Sequence, residues 1–452
     1  MSLLTKLWSY INLPDKSFTR NFLTLLSGTT LAQAIPFFVG PIISRLYAPA
    51  DIGFFVLLSS TAGILSILST GTFEYGVLVE ERDDDSQSLR ETAITLSLIF
   101  STLSFIALVA IFIIANHTSP DGISWLWLLV PLQVFLTGTA NIQNYYLNRH
   151  NDYPRISSGK VVRTSGMSIF QVGAGFMKWA WGLFPGQLLG QLITVFYLFK
   201  GSSLNLRSLF RSRSSIIKQI VKFKKYPLLT MPGSLINELS IQVPIYILQL
   251  FFTAGVVGFY ALPHKFLNAP IMLIGSAIGQ VFFQRASEKN NSGEKITDTA
   301  LSVYWFLFKV GLIPFSIIMV FGDILFAWYF GETWRISGMY AQMLSPWLFF
   351  VLCGSPLSNL FVVLGRLRLS LNLNIGLLLV RISAMFIGAY WFSPTVAILL
   401  FAAVSFAYWV ILTFYTLHLS GAKAAMVAWK SLSMLTGVVL LLAALRFIIT
   451  KA

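Results

Sequence analysis

An all-α polytopic membrane protein is the fold class this sequence predicts, and three observations predict it. Of 452 residues, 56% are hydrophobic and 11% are charged, where soluble globular chains carry roughly 25% charged residues. Mean hydropathy is +0.74, and apolar segments of the ~20 residues needed to cross a bilayer recur along the whole chain. Lys and Arg alternate between the two sides of those segments. Such a chain cannot cover a soluble surface, which excludes a cytosolic enzyme, a nucleic-acid-binding protein and a secreted domain. The net charge of +15 then reads as cytoplasmic loops facing anionic lipid headgroups rather than nucleic acid. A single Cys353 excludes an internal disulfide, and His117, His150, His264 and His418 lie too far apart for metal-ligand spacing.

Taken in order, Leu3, Leu4, Leu7, Trp8 and Ile11 recur at helical spacing, which predicts a short interfacial helix on the cytoplasmic face. Residues 1–20 lack the apolar core of a signal peptide. Charges, Pro/Gly breaks and polar clusters then delimit twelve spans, near 20–46, 52–79, 92–115, 122–148, 155–177, 179–200, 226–253, 256–284, 297–321, 338–364, 367–391 and 394–418. A thirteenth apolar stretch runs over 431–449. With the N-terminus in the cytoplasm, 24 of the 32 Lys/Arg fall on the cytoplasmic side, and only Arg45, Lys178 and Arg335 on the other. A wrong segmentation would scramble that alternation. Outer loops are short, the longest near 320–337, and no GxxxxGK[ST] is present. That argues against an ATP-driven pump and against a membrane glycosyltransferase, so the chain reads as a transporter and not an enzyme. Asp83, Asp84 and Asp85, beside Glu80 and Glu81, read as a solvated cytoplasmic turn.

The organisation is bipartite. Residues 1–200 form an N-terminal lobe, 201–225 a basic cytoplasmic linker, 226–420 a C-terminal lobe of six further spans, and 421–452 an extra hydrophobic segment. The lobes share weak similarity where they begin: Leu31-Ala-Gln-Ala-Ile-Pro36 before Gly53-Phe-Phe, and Leu239-Ser-Ile-Gln-Val-Pro244 before Gly258-Phe-Tyr. Six spans is an even number, so a duplication would be a parallel repeat, as in alternating-access transporters. Pro36, Pro41, Pro244, Pro270, Pro314, Pro346 and Pro356 lie within spans, where each frees a backbone carbonyl and allows a kinked or broken helix.

The first span and its continuation contain Ala-Gln-Ala-Ile-Pro36, Gly40-Pro41-Ile-Ile-Ser-Arg45 and Tyr47-Ala-Pro49-Ala-Asp51-Ile-Gly53. Further along come Thr72-Phe-Glu74-Tyr, Gly279-Gln-Val-Phe-Phe-Gln-Arg285, Ser345-Pro-Trp and Ser355-Pro-Leu-Ser. In that order these motifs resemble the oligosaccharide-lipid flippases of the O-antigen (Wzx) type. Those belong to the multidrug/oligosaccharidyl-lipid/polysaccharide exporter (MOP) superfamily. The resemblance covers roughly 20–420 and implies a V-shaped, MATE-like pair of six-helix lobes. It implies a polyprenyl-pyrophosphate-linked glycan of lipopolysaccharide or related surface-polysaccharide biosynthesis, such as an undecaprenyl pyrophosphate-linked repeat unit. It further implies flipping across a bacterial inner membrane, with glycan polymerase and ligase machinery as partners and no nucleic acid. A multidrug/cation exporter of the same superfamily is the alternative, and a membrane-embedded enzyme of glycan assembly a more distant one.

A pyrophosphate needs cations in a sheltered cavity. Lys265, Arg381, Arg45 and Lys309 are the substrate-binding candidates, because a charge at such depth costs at least ~2.5 kcal/mol if it faces lipid. Lys160 and Arg163 are candidates for a cytoplasmic entrance. No cofactor is expected. Glu74 and Glu238, the two acids counted within spans, are candidates for H⁺ or Na⁺ coupling, their alternative being a salt bridge to an intramembrane Lys or Arg. Three cations against two acids tilts the sequence toward an anionic substrate.

Overall fold

The computed structural model describes residues 16–118, 123–201 and 213–451. The interfacial helix expected at Leu3–Ile11 and much of the 201–225 linker lie outside the described residues. Within them the chain is helical, with no strand. The helices are α1 (Lys16–Leu46), α2 (Pro49–Thr70), α3 (Glu74–Val79), α4 (Asp83–Thr118), α5 (Val130–Arg149), α6 (Tyr153–Phe176), α7 (Leu183–Phe199) and α8 (Arg213–Lys222). They continue as α9 (Met231–Phe251), α10 (Ala254–Asn291), α11 (Thr297–Phe330), α12 (Arg335–Gly354), α13 (Leu360–Val363), α14 (Leu367–Trp391), α15 (Pro394–Leu419) and α16 (Ala424–Lys451).

Eleven of the described helical segments are long and apolar enough to cross a membrane. The sequence predicts twelve and a thirteenth stretch. The two further predicted spans are the helices α1 and α6, 31 and 24 residues long, which pack against each other. The 431–449 stretch is the helix α16, packed on α11 and α15.

Local chemistry sets the ends of these helices. Pro49, Pro154 and Pro394 sit in first turns, where a missing N–H costs nothing. Asp152 and Ser393 accept from the backbone N–H groups of Arg155 and Val396. Gly71, at φ 58°, ends α2 by donating to Ile67 and Leu68 carbonyls. Of the span prolines, Pro36, Pro41, Pro244, Pro270, Pro314 and Pro346 lie inside continuous helices. Pro356 instead marks a real break between α12 and α13.

The chain forms two compact units, Leu13–Gln242 and, among the described residues, Val243 onward. In the first, Leu58, Val130, Val134, Phe184 and Leu188 form one apolar core, and Phe73, Val77, Leu89, Ile142, Phe223 and Tyr226 another. The end of the basic linker therefore docks rather than floats. Phe223 is buried in that second core, Gln219 donates to Ser88, and Lys222 pairs with Asp85 at 2.8 Å. Arg149 pairs with Asp83 at 2.7 Å and donates to the Glu80 and Glu81 carbonyls. The acidic run is thus the first turn of α4, solvent-exposed at Asp83 and Asp84 and paired with two cations. Helices α1 and α6 also approach closely, since a Cβ on Gly28 would sit 1.6 Å from the Ser157 hydroxyl.

The second unit is built on rings. Phe308 and Phe315 pack on Phe349, Phe350 on Phe406 and Phe414, and Trp347 on Phe401. Helix α11 runs to Phe330, so only Gly331–Trp334 separates it from α12. The long outer loop expected at 320–337 is helix instead, because Phe326 and Phe330 are buried apolar residues that continue the stripe.

Candidate functional site

Arg381, on α14, is the most enclosed of the expected substrate-binding residues at 4% exposure. Its Nε donates to the Ser405 hydroxyl at 2.9 Å, and its guanidinium lies 5.0 Å from the Trp347 ring centre and 5.1 Å from that of Phe401. Tyr260, Tyr408 and His264 lie within its electrostatic reach. His264 stacks between Tyr260 and Trp347, at 5.5 and 6.0 Å. Two donors in this cluster are unused: the Tyr260 hydroxyl and the Trp347 indole N–H are buried and make no hydrogen bond among the described residues. Helices α10, α12, α14 and α15 therefore bring together one cation, two idle donors and a ring of aromatic faces. Spacing in the sequence pointed only to Arg381; the partners come from three other helices and carry no short-range signal.

The other expected cations are more open. Lys265, beside His264 on α10, is exposed within its unit. Arg45 is exposed and donates to the Pro41 carbonyl of its own helix at 2.9 Å. Lys309 is exposed and lines a groove of about 460 Å³ with Lys430, Trp305 and Asp298. In the first unit, Lys160 on α6 is half-buried and donates to Thr29 of α1 at 2.9 Å, while Arg163, one turn on, is exposed. Helix α6 thus carries both residues expected at the entrance.

Neither coupling candidate forms a salt bridge among the described residues. Glu74, at the start of α3, is 8% exposed, and its Oε2 has no hydrogen-bond partner. Glu238, on α9, is half-buried. It accepts from Gln242 at 2.7 Å, and Gln242 in turn accepts from Ser60 of α2 at 3.2 Å.

The structure corrects the tally of embedded charges. Asp323 lies inside α11, where Arg446 of α16 holds it with two bonds of 3.0 and 2.7 Å and Gln342 adds a third at 3.1 Å. Arg90, assigned to a cytoplasmic loop, is fully buried over the Tyr146 ring at 3.9 Å, and its neighbour Glu91 is 3% exposed. Helix α4 begins at Asp83 rather than near 92, which draws both residues into the unit. Two acids and two cations thus join the buried charges, the excess of one cation stands, and the surroundings of each charge decide more than the count.

A family model described as polysaccharide biosynthesis protein matches residues 42–338. No curated protein matches the chain. Solved structures share the fold. One is a multidrug resistance MATE family transporter of the MOP superfamily in an inward-facing conformation, with TM-score 0.64 and 16% identity over 88% of this chain and 94% of that one. Another is the lipid II flippase MurJ in an inward closed conformation, with TM-score 0.67 and 11% identity over 95% and 100% of the two chains. A third is a MOP superfamily transporter from Pyrococcus furiosus, with TM-score 0.60 and 17% identity over 90% and 96%. Identities this low establish a shared fold, the MATE and MurJ architecture, and leave substrate to the residues.

Proposed function

This chain belongs to the polysaccharide biosynthesis protein family, and from that premise we propose that it is a flippase for a polyprenyl-pyrophosphate-linked oligosaccharide. The glycan would be an O-antigen or related surface-polysaccharide repeat unit, moved from the cytoplasmic to the outer leaflet of a bacterial inner membrane by alternating access. The observation that carries this reading is the Arg381 cluster. A guanidinium surrounded by rings, with the Tyr260 hydroxyl and the Trp347 N–H unused beside it, is a set of donors suited to an anion. Pyrophosphate oxygens arriving there would accept from both idle donors beside the guanidinium charge. Lys265, on the same helix as Tyr260, and Arg45 are proposed to add charge along the path, with Lys160 and Arg163 receiving the headgroup at the cytoplasmic entrance. The N-terminus is placed in the cytoplasm on the asymmetry of Lys and Arg, and glycan polymerase and ligase are the partners this role would serve.

Glu74 and Glu238 are proposed as the coupling groups. The exporter reading is favoured by one specific feature, the Glu238–Gln242–Ser60 set, which is a plausible seat for a cation.

Flipping in proteoliposomes, with a purified pyrophosphate-linked oligosaccharide and with Arg381→Ala and Lys265→Ala beside the parent, tests the proposal. Transport by the parent and its loss in folded variants is the expected result. No transport under any imposed potential or ion gradient, with drug-cation efflux from the same vesicles, would replace the flippase by the exporter. Full transport by both variants would retain the function and discard the anion site.

A further inference from the structure

The groove between α11 and α16 shares no residue with the Arg381 cluster and has no part in the proposed flipping path. It has a volume of about 460 Å³ and is lined by Asp298, Ser302, Trp305 and Lys309 from α11 and by Lys430 and Met434 from α16. Lys430 lies 5.4 Å from the Trp305 ring centre. The two helices are pinned together beside it, because the Tyr304 hydroxyl donates to that of Ser431 at 2.7 Å. Neither Lys309 nor Lys430 forms an ion pair among the described residues, and one carboxylate, Asp298, faces two ammonium groups.

The depth of the groove follows from α11 itself. Trp305 and Trp328 are 23 residues apart on one continuous helix, about 35 Å by helical rise, close to the separation of the two aromatic belts of a bilayer. Trp328 is strongly exposed, as a belt residue should be. Trp305 therefore marks the opposite interface, and Lys309, one turn further in, lies just within it, at the level of phosphate and glycerol groups. Above the lysines both helices turn apolar side chains outward, among them Ile313, Leu440 and Leu441, over the depth that acyl chains occupy. The positive-inside asymmetry puts this end of α11 on the cytoplasmic side.

We propose that this groove is a binding site for one diacyl phospholipid with an anionic headgroup, drawn from the inner leaflet. Lys309 and Lys430 grip the phosphodiester, Trp305 walls the site, and the acyl chains follow the apolar faces of α11 and α16. Charge complementarity selects the occupant: a zwitterionic lipid would bring its own ammonium against two lysines.

The test is native mass spectrometry of the purified full chain, titrated with dioleoylphosphatidylglycerol or dioleoylphosphatidylcholine. The parent should retain phosphatidylglycerol preferentially. Lys309→Gln and Lys430→Gln should each weaken that preference by about fivefold, as expected for one lysine at an anionic surface, and Lys309→Arg/Lys430→Arg should keep it. A control pair at lysines elsewhere, the half-buried Lys289 and the exposed Lys423, changed together as Lys289→Gln/Lys423→Gln, should leave it unchanged. Equal loss in the control pair would show diffuse attraction and overturn the site, as would an undiminished preference in the Gln variants. If inorganic phosphate raises the parent's Tm as much as phosphatidylglycerol does, the ligand is a free anion and the lipid assignment falls. Should Lys309→Gln aggregate, Lys430→Gln, at an exposed position on α16, gives the same reading.

Discussion

Arg381 shows how a single side chain can be visible in a sequence while its meaning is not. A lone arginine among apolar residues is conspicuous at any depth. What surrounds it, Tyr260, His264, Trp347 and Ser405, is scattered over nearly 150 positions of chain and looks like ordinary membrane composition. The guanidinium plane between rings is a property lysine cannot copy, since an ammonium is a compact point charge. Arg381→Lys should therefore fold with a nearly unchanged Tm yet flip at least about tenfold more slowly, roughly 1.4 kcal/mol in transition-state terms. Arg381→Ala should in addition lose about 2 kcal/mol of stability from two desolvated cation–π contacts. Initial rates in proteoliposomes and thermal unfolding in detergent measure the two effects separately. Parental flipping by Arg381→Lys would show that charge alone suffices at this position. Asp323 and Arg90 escaped the sequence reading for a different reason. Both were placed by helix ends that hydropathy put several residues off, and a shift of two turns turns a loop charge into a buried one.

Helices were the most legible level, because the bilayer forces each span to be long, apolar and internally hydrogen-bonded. Every predicted span falls on helix, two of them (52–79 and 338–364) split by a short break. The misses concern ends and breaks: α11 extends through the supposed outer loop, and α12 stops at Gly354. Hydropathy also cannot see how closely two helices approach. Gly28 leaves no room for a methyl group beside Ser157, and Gly338 of α12 is as tight against Gly322 of α11, where a Cβ would lie 2.4 Å from a carbonyl oxygen. Small residues let backbones meet where no hydrophobic force drives association. Gly28→Ala should cost about 1–3 kcal/mol by overpacking, and Ser157→Gly in the same chain should recover most of it. Lack of rescue in a double-mutant cycle of Tm values would mean that the α1–α6 contact is not the source. The same logic applies to α16, which Arg446 fastens to Asp323 near its end. Asp323→Asn should weaken that tether by about 1–3 kcal/mol, raising amide exchange over the last two turns of α16 while leaving α2 and α5 protected. Unchanged exchange there would assign the tether to the Tyr304–Ser431 bond instead.

For the molecule as a whole, the proposed function raises the question of what would drive a doubly charged headgroup outward. An inside-negative potential already favours that movement by about 4–5 kcal/mol per 100 mV for a charge near −2, so ion coupling must show itself against that background. Glu74 is the acid best placed to reveal it, being buried, outside any ion pair among the described residues and with one carboxylate oxygen unbonded. Glu238 is already engaged by Gln242. If protons entering from outside exchange for substrate at Glu74, a gradient acidic outside should speed outward flipping by the parent even when the potential is clamped at zero. Glu74→Gln keeps the shape and a hydrogen-bonding capacity but cannot cycle a proton. It should lose the response to the pH gradient entirely and keep the acceleration by an inside-negative potential, since that acts on the substrate's own charge. Glu238→Gln should respond to both. These arms separate the two driving forces in one preparation: a Glu74→Gln variant that still answers the pH gradient removes Glu74 from coupling, and a parent insensitive to it leaves the potential as the sole drive.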